Sequence, residues 1–519
     1  MASRGERGRW AASVGPLGVL VVGLGLVLAS PGRCPAAQPE KARPNFIFIL
    51  IDDMGWTDLG CFGSDLFETP HVDRLAAGGM RFTSAYAACP VCSPTRASIM
   101  SGKYPARLKL TNFIAGRRQL ANARVLTAPY KFQMELEEVT VAEALREAGY
   151  RTAHFGKWHL GGQEHFPDRQ GFDVSVVTGG PHFGTQVLGD NPRRLPPDAY
   201  LADYLTDQTI GFIEANRDRP FFVYLCHFAV HVPLEAQADL LAKYEGKLKN
   251  HPSARHNNPT YAAMVESVDR SVGRVMEALK RAGIDQRTVV VFFSDNGGLS
   301  VKEGPKTPST TNAPLRAGKG YLYEGGIRVP MIVRWPEGIK PGTVCDVPVS
   351  SVDFYPTILE MAGVPANPNH VPDGVSLLPL VRQTGGLDRE AIYWHYPHFS
   401  NQGGMPGAAV RKGDFKLIRF YEDERIELYN LKDDPGEKND LAKKLPEKTA
   451  ELRRMLDAWL QSVDANLCPP NPDYDPSKPL DGAFEIGSKP KAPKKAKGPK
   501  KPAASARESQ GMERVWRVA

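Results

Sequence analysis

Asn45-Phe46-Ile47-Phe48-Ile49-Leu50-Ile51-Asp52-Asp53 reads as one buried strand that delivers two carboxylates. The unbroken apolar run lacks the alternation of a strand with one wet face and fits a parallel strand covered on both sides. Asp52 and Asp53 stand at its C-terminal end. Carboxylates this close repel each other strongly in low dielectric, and a hard divalent cation is the simplest neutraliser, with a helix cap or loop pair as the plainer alternative. The pattern recurs, since Thr288 to Phe293 is a second β-branched and aromatic run, ending in Ser294-Asp295-Asn296-Gly297-Gly298. Ligands in parallel α/β sheets collect beyond the carboxyl ends of strands, so both groups can meet at one place. An oxygen-only donor set suits Ca²⁺ or Mg²⁺ better than zinc.

Helical patterns alternate with the strands. Thr69-Pro70 opens a short helix that Gly78 ends, Thr140 and Glu143 form a capping box for a helix closed by Gly149, and Asp198 to Glu214 is less regular. Tyr261, Met264, Val265, Val268, Val272, Val275, Met276 and Leu279 follow helical spacing and lead into the strand at Thr288. Strands are also expected at Arg151 to Phe155 and Phe221 to Cys226. The fold class is therefore α/β, a large mainly parallel sheet sandwiched by helices. From about Ile392 the texture changes. Phe415 to Phe420 and Ile426 to Leu431 predict an antiparallel sheet, and Leu452, Met455, Leu456, Trp459 and Leu460 mark an amphipathic helix. The domain reading is residues 45–390 for the large unit and 391–465 for a smaller C-terminal one.

Cys92-Ser93-Pro94-Thr95-Arg96 holds a nucleophile candidate, a helix start and a cation within one turn. Ser93 is expected as N-cap and Pro94 as the first helical residue, with Gly102 as the stop. A helix N-terminus and Arg96 together favour an oxyanion. Taken alone, Cys92 fits equally a packing cysteine, a redox pair with Cys89, or half a zinc site. Lys157 and His159 in Gly156-Lys157-Trp158-His159, His231 after Ala229-Val230, and Lys319 in Arg316-Ala317-Gly318-Lys319-Gly320 follow strands or lie in loops. They supply cations for a doubly charged oxyanion.

The chain of 519 residues is long enough for a large core, and its formal net charge of +7 belongs to its two ends. From Lys489 onward ten basic residues face two acidic ones, and Arg4, Arg7, Arg9 and Arg33 face Glu6 alone, so the body between is net acidic. No nucleic-acid surface is indicated. Residues 1–37 read as a signal peptide, with a basic start, an apolar run from Val14 to Leu28 and small residues near Cys34-Pro35-Ala36-Ala37, and an uncleaved anchor as the alternative. Residues 38–44 are a linker and 466–519 a Pro/Lys-rich tail expected to be disordered. Export to the periplasm or outside the cell follows, with no stable membrane span after cleavage. Seven cysteines form no dense disulfide framework.

These residues resemble the sulfatase family of the alkaline-phosphatase-like superfamily. Its C-x-P-x-R signature followed by a helix ending in Ser/Thr-Gly is met by Cys92 through Gly102. Supporting blocks are Asp52-Asp53-Met54-Gly55, Gly156-Lys157-Trp158-His159-Leu160-Gly161, Ser294-Asp295-Asn296-Gly297, Gly318-Lys319-Gly320, Glu324-Gly325-Gly326 and Glu427-Leu428-Tyr429-Asn430-Leu431 with Asp434-Pro435. Thr95 departs mildly, standing where many members carry Ser or another small residue. The resemblance implies that a formylglycine-generating enzyme converts Cys92 to formylglycine, and that Asp52, Asp53, Asp295, Asn296 and an oxygen of residue 92 hold one Ca²⁺. Arg96, Lys157, His159, His231 and Lys319 match the family's polar pocket. It implies hydrolysis of sulfate monoesters, with Asp295 as base in attack, His231 and Lys319 serving the leaving oxygen, and His159 deprotonating the sulfated residue. A phosphonate or phosphate ester hydrolase of the same superfamily, or a noncatalytic binder of sulfated glycans, are the rival readings. A sulfated small molecule or glycan is the expected partner, and His182, His227, Trp394, His395, Tyr396 and His398 are read either as a rim able to contact sugar or as ordinary packing.

Overall fold

The first run does form a strand buried over its whole length. The computed structural model describes residues 43–117, 119–189 and 191–480. The expected signal peptide, the linker up to residue 42 and the lysine-rich end lie outside the described residues. In chain order the large sheet takes β1 (Asn45–Ile51), β2 (Met80–Phe82), β3 (Arg151–Gly156), β4 (Val174–Thr178), β5 (Gln186–Leu188), β6 (Arg193–Arg194), β7 (Phe221–Cys226), β8 (Thr288–Ser294), β9 (Met331–Arg334) and β10 (Thr343–Cys345). Across the sheet the order is β10-β2-β9-β8-β1-β7-β3-β4-β5-β6. The five central strands from β8 to β4 run parallel, and antiparallel strands join at both flanks.

Period-two alternation sends the side chains of β1 into two cores. Phe46, Phe48 and Leu50 pack with α2 (Cys92–Ser101), α3 (Val141–Glu147) and α6 (Phe354–Ala362), counting α1 (Pro70–Ala77), α4 (Leu201–Ala215) and α5 (Pro259–Arg281) as the helices of the other face. Ile47, Ile49 and Ile51 pack against α1, α4 and α5. Both faces being dry, the strand carries no polar residue between Asn45, which is hydrogen-bonded to Thr288, and Asp52. The helix ends are chemically determined: Thr140 Oγ1 accepts from Glu143 N (3.0 Å) while Glu143 Oε2 accepts from Thr140 N (2.7 Å), completing the capping box.

One helix start differs from expectation. In α2 the N-cap is Val91 and Cys92 is already the first helical residue, so Ser93 is not the cap and Pro94 is the third residue of the first turn. The hydroxyl of Ser93 instead accepts from Ile114 N (3.2 Å), which ties a distant loop to the helix start.

Downstream, β11 (Ile392–Tyr396), β12 (Gly407–Lys412), β13 (Phe415–Phe420) and β14 (Ile426–Asn430) form the antiparallel meander. One face is covered by α7 (Pro446–Ser462) through Leu452, Leu456 and Leu460. The other presents Trp394, Ala409, Ile418 and Tyr429 to Tyr86, Tyr321, Tyr323 and Ile327 of the large unit. Residues 466–480 are ordered against segment 122–128, with Leu126 N donating to Pro469 O (2.8 Å) and Asp475 N to Asn122 Oδ1 (2.8 Å), because their backbone finds partners there that composition does not reveal. Among the described residues, no helix is long and apolar enough to cross a membrane.

A buried ionic knot ties the two sheets together. Lys416 of β13 donates to Glu324 Oε1 (3.0 Å) and Glu437 Oε1 (2.9 Å), Glu437 Oε2 accepts from Glu324 N (2.7 Å), and Tyr86 donates to Glu324 Oε2 (2.7 Å). Burial pushes Glu437 up to about 7 despite Lys416. Lys416→Met would strand two buried carboxylates, and the expected loss is about 3–5 kcal/mol, read as a lowered denaturation midpoint; an unchanged midpoint contradicts the assignment.

Behind β1, His256 lies between Asp65, whose Oδ1 is 2.7 Å from Nδ1, and Asp58, whose Oδ1 is 3.3 Å from Nε2. Burial opposes protonation, but the two carboxylates outweigh it and raise His256 above its ordinary value. A raised folded value means that this contribution is complete below the unfolded value of about 6.5 and disappears as pH climbs through the folded one. The stability difference between wild type and His256→Gln, followed by denaturation from acid to alkaline pH, is expected to shrink as pH rises; a constant or growing gap refutes it.

Candidate active site

Strand register brings the site together. Ile51 pairs with Ser294, Leu50 with Cys226, and Gly156 with Cys226, so the ends of β1, β8, β7 and β3 finish level. The next residues are Asp52 and Asp53, Asp295 and Asn296, the loop to His231, and Lys157 with His159. Asp295 N donates to Ile51 O (3.1 Å) and Val230 N to Asp52 O (2.8 Å), which locks these turns to one another. Two glycines are required by close approach. Gly156 has φ +117°, and a Cβ there would strike the carbonyl of Cys226; at Gly297 it would strike that of Gly325.

Anions and cations alternate in the cluster. Arg96 Nε donates to Asp295 Oδ2 (2.9 Å) and Nη1 to Lys157 O (2.8 Å); Lys157 Nζ reaches Asp52 Oδ2 (2.6 Å), and Lys319 Nζ reaches Asp53 Oδ2 (2.8 Å). Asn296 Nδ2 donates to Asp53 Oδ1 (2.7 Å), and Asp53 N to Asp295 Oδ1 (3.2 Å). All these residues are buried. Burial works to raise Asp52, but Lys157, His231 and Arg96 hold it well below the usual carboxylate range. Asp295 is pushed up to about 7 by burial and by the charge of Asp52. Three carboxylates with partial compensation are a place for another cation. The donor atoms agree: Asp52 Oδ1 and Asn296 Oδ1 are buried acceptors with no hydrogen-bond donor. Asp52, Asp53 and His231 also offer ligand atoms within 4.8 Å of one another. A predominantly oxygen donor set of this kind fits a hard divalent ion.

The histidines occupy defined proton states. His159 Nε2 lies 2.5 Å from the carbonyl of Ile114, which can only accept, so Nε2 carries the proton and Nδ1 presents a lone pair. That lone pair lies 3.2 Å from Cys92 Sγ. Burial and the charge of Lys157 push His159 well below its ordinary value, so it is neutral. His231 Nδ1 is likewise 2.7 Å from Val232 O, leaving Nε2 3.6 Å from Asp53 Oδ2, and burial with Lys319 lowers it to about 4. Burial raises the Cys92 thiol although Lys157 and Lys319 pull it down. Cys92 is thus a protonated thiol rather than an activated thiolate. The six described cysteines are unpaired, and Cys89 directs its thiol at Thr111 O (3.9 Å).

Cys92, Arg96, Lys157, His159, His231, Lys319, Asp52, Asp53, Asp295 and Asn296 therefore converge. The expected sugar rim does not form as read. His227 is bonded to Ser271, Trp394 to Ala87 O, His395 to Asn466 O and Tyr396 to Asn112, all buried, because each satisfies an internal polar partner. His182 bonds the carbonyl of His231 (2.8 Å) and His398 the hydroxyl of Thr111 (2.8 Å), so these two brace the site from within. Contributions invisible in sequence are the Ile114 carbonyl, which fixes the tautomer of His159, and Asp58, which takes hydrogen bonds from Gly55 N (2.7 Å) and Tyr261 Oη (2.5 Å) behind Asp53. Only a backbone trace could have found the first. Asp58 carried a signal in its place within the turn after Asp52-Asp53, though not one that separates it from a surface acid.

The family model described as Sulfatase matches residues 44–364, and one described as N-sulphoglucosamine sulphohydrolase, C-terminal, matches residues 317–466. A protein named Sulfatase from Formosa agariphila is 34% identical over 84% of this chain and 92% of its own length. Arylsulfatase A of Homo sapiens is 32% identical over 85% of this chain and 91% of its own. The crystal structure of Ps i-CgsB in complex with k-i-k-neocarrahexaose superposes with a TM-score of 0.69 at 29% identity, covering 80% of this chain and 93% of that one. With the signature helix, the strand-end acids and the basic loops assembled in one pocket, the chain belongs to the sulfatase family and is a sulfuric ester hydrolase.

Proposed function

We propose that this protein is an exported sulfatase that releases sulfate from sulfated carbohydrates, using formylglycine made from Cys92 and one Ca²⁺. The observation that carries the reading is the pairing of a neutral, tautomer-fixed His159 with a buried Cys92 beside acceptor oxygens that lack donors. Asp52, Asp53, Asp295, Asn296 and residue 92 would hold the ion. When present, the modified residue supplies the nucleophilic hydroxyl of a hydrated aldehyde, and the ion screens the charge of the sulfate. A formylglycine-generating enzyme is the partner in maturation. Export rests on the basic and apolar N-terminus, and the carbohydrate preference is supported by the related structure that carries a neocarrahexaose.

The chain's own groups divide the work. Lys157 and Lys319 place fixed positive charge where the nonbridging oxygens of sulfate sit, in a site that excludes water and so strengthens each contact. Arg96, anchored on Asp295 and on the carbonyl of Lys157, orients residue 92 at the helix start. Nδ1 of His159 is the acceptor for a proton leaving residue 92. Nε2 of His231, flanked by Lys319, faces the departing alkoxide and relays a proton to it; its lowered value requires that proton to come through Lys319 or solvent.

Cys92→Ala is expected to abolish aryl sulfate turnover while the denaturation midpoint stays put. Peptide mass spectrometry of active protein should show residue 92 lighter than cysteine by conversion of thiol to aldehyde; full activity with an intact thiol refutes the assignment. Lys157→Ala is expected to lower kcat by roughly 10²–10³. Matched aryl sulfate and aryl phosphate or phosphonate esters should favour the sulfate, and the reverse order would identify the rival esterase. Chelation should remove activity that Ca²⁺ restores.

A further inference from the structure

The loop that carries His231 is fixed on its upstream side by the end of β1: His227 N donates to Leu50 O (2.9 Å), Asp52 N to Ala229 O (3.1 Å) and Val230 N to Asp52 O (2.8 Å). From His231 onward the hold passes to His182, in the loop between β4 and β5. Its Nε2 lies 2.8 Å from the carbonyl of His231, and its backbone N donates to Glu235 Oε2 (2.8 Å), so one residue grips the loop on both sides of Val232-Pro233-Leu234. His182 is itself anchored, because Leu201 N at the start of α4 donates to its carbonyl (2.8 Å).

A carbonyl only accepts, so His182 carries its proton on Nε2. Burial lowers His182 below its ordinary value, which keeps the ring neutral and this tautomer in place. The bonds of the two histidines fall on consecutive peptides. His182 holds the carbonyl of His231, and the His231 ring donates from Nδ1 to the next carbonyl, that of Val232 (2.7 Å). Fixing the first peptide therefore sets where the second carbonyl stands, and with it the direction of His231 Nε2. Packing acts the same way. The Phe228 ring touches both, with centroids 5.0 Å from His182 and 5.1 Å from His231, and a Cβ at Gly180 would come within 2.5 Å of that ring.

We propose that His182 is a positioning residue for sulfate ester cleavage: its Nε2–H holds the His231 peptide so that Nε2 of His231 meets the departing oxygen. The inference rests on the leaving-group role given to His231 above and deepens it. As the ester S–O bond breaks, its electron pair goes to the leaving oxygen, which takes the proton that His231 relays. His182 exchanges no proton in this step, since its N–H is committed to a backbone carbonyl. Misplacing a reacting group by about 1 Å can cost roughly 10²-fold, and here the cost falls on esters whose leaving oxygen most needs a proton.

The test is leaving-group dependence, read as kcat and KM on 4-nitrophenyl, 4-chlorophenyl and phenyl sulfate for wild type, His182→Phe, His182→Gln, Glu235→Ala and His231→Ala. His182→Phe keeps a packed ring and removes the donor. It is expected to lower kcat by about 10²-fold on phenyl sulfate and by less than about threefold on 4-nitrophenyl sulfate, with KM unchanged. His182→Gln, whose amide can donate in place of Nε2, should restore most of the loss on phenyl sulfate. Glu235→Ala, at a partly exposed side chain, loosens the other grip and should shift the rates in the same order to a smaller extent. Parallel losses on all three esters, as a smaller folded fraction would give, overturn the positioning role. A wild-type slope in His182→Phe beside a steep one in His231→Ala also overturns it and leaves the reading of His231 intact; should His182→Phe fail to fold, a wild-type slope in Glu235→Ala does the same. Equal losses on all esters in His231→Ala itself overturn both.

Discussion

Three carboxylates crowded at the level ends of parallel strands are the constraint on which this structure turns. Asp52, Asp53 and Asp295 are buried beside one another, and each is met by a cation that comes from another part of the chain: Lys157, Lys319 and Arg96. In low dielectric neither set is tolerable alone. The sheet register must be right for the charges to be compensated, and the charges must be compensated for the strand ends to be buried. This mutual dependence explains the two close-approach glycines, because Gly156 and Gly297 let neighbouring backbones come near enough for Lys157 and Asn296 to reach the same pocket.

The smaller sheet takes part in the same constraint. Lys319 belongs to a loop whose continuation carries Glu324, and Glu324 is held by Lys416 and Glu437 from the C-terminal part of the chain. Gly297 N in turn donates to Gly326 O (3.0 Å), two residues past Glu324. The antiparallel meander therefore fixes, through one buried lysine, both the loop of Lys319 and the turn that follows Asp295 and Asn296.

Period and composition made most of the scaffold legible. β1 and β8 announced themselves as dry strands, the helix at 259–281 by its apolar stripe, and the capping box at Thr140 by its two polar residues. The site residues were readable because charged groups at the ends of apolar strands have few structural excuses. What escaped was whatever depends on non-local partners. Ser93 has the chemistry of an N-cap but accepts from Ile114, a loop that sequence spacing cannot place. The rim histidines and Trp394 have the chemistry of ligand contacts but are consumed by internal acceptors. Residues 466–480 have the composition of a tail but pair with segment 122–128.

The charge balance also bears on why Cys92 is poorly placed to act as a thiolate. Cysteine and histidine within 3.2 Å would ordinarily be expected to share a proton as thiolate and imidazolium, which needs a histidine able to hold positive charge. Here His159 is buried beside Lys157, and its Nε2 proton is committed to a carbonyl. Lys157 and Lys319, which could have stabilised a thiolate, are already engaged by Asp52 and Asp53. Burial then decides the matter in favour of the neutral pair. A neutral imidazole lone pair therefore faces position 92, placed to accept a proton from the group that stands there.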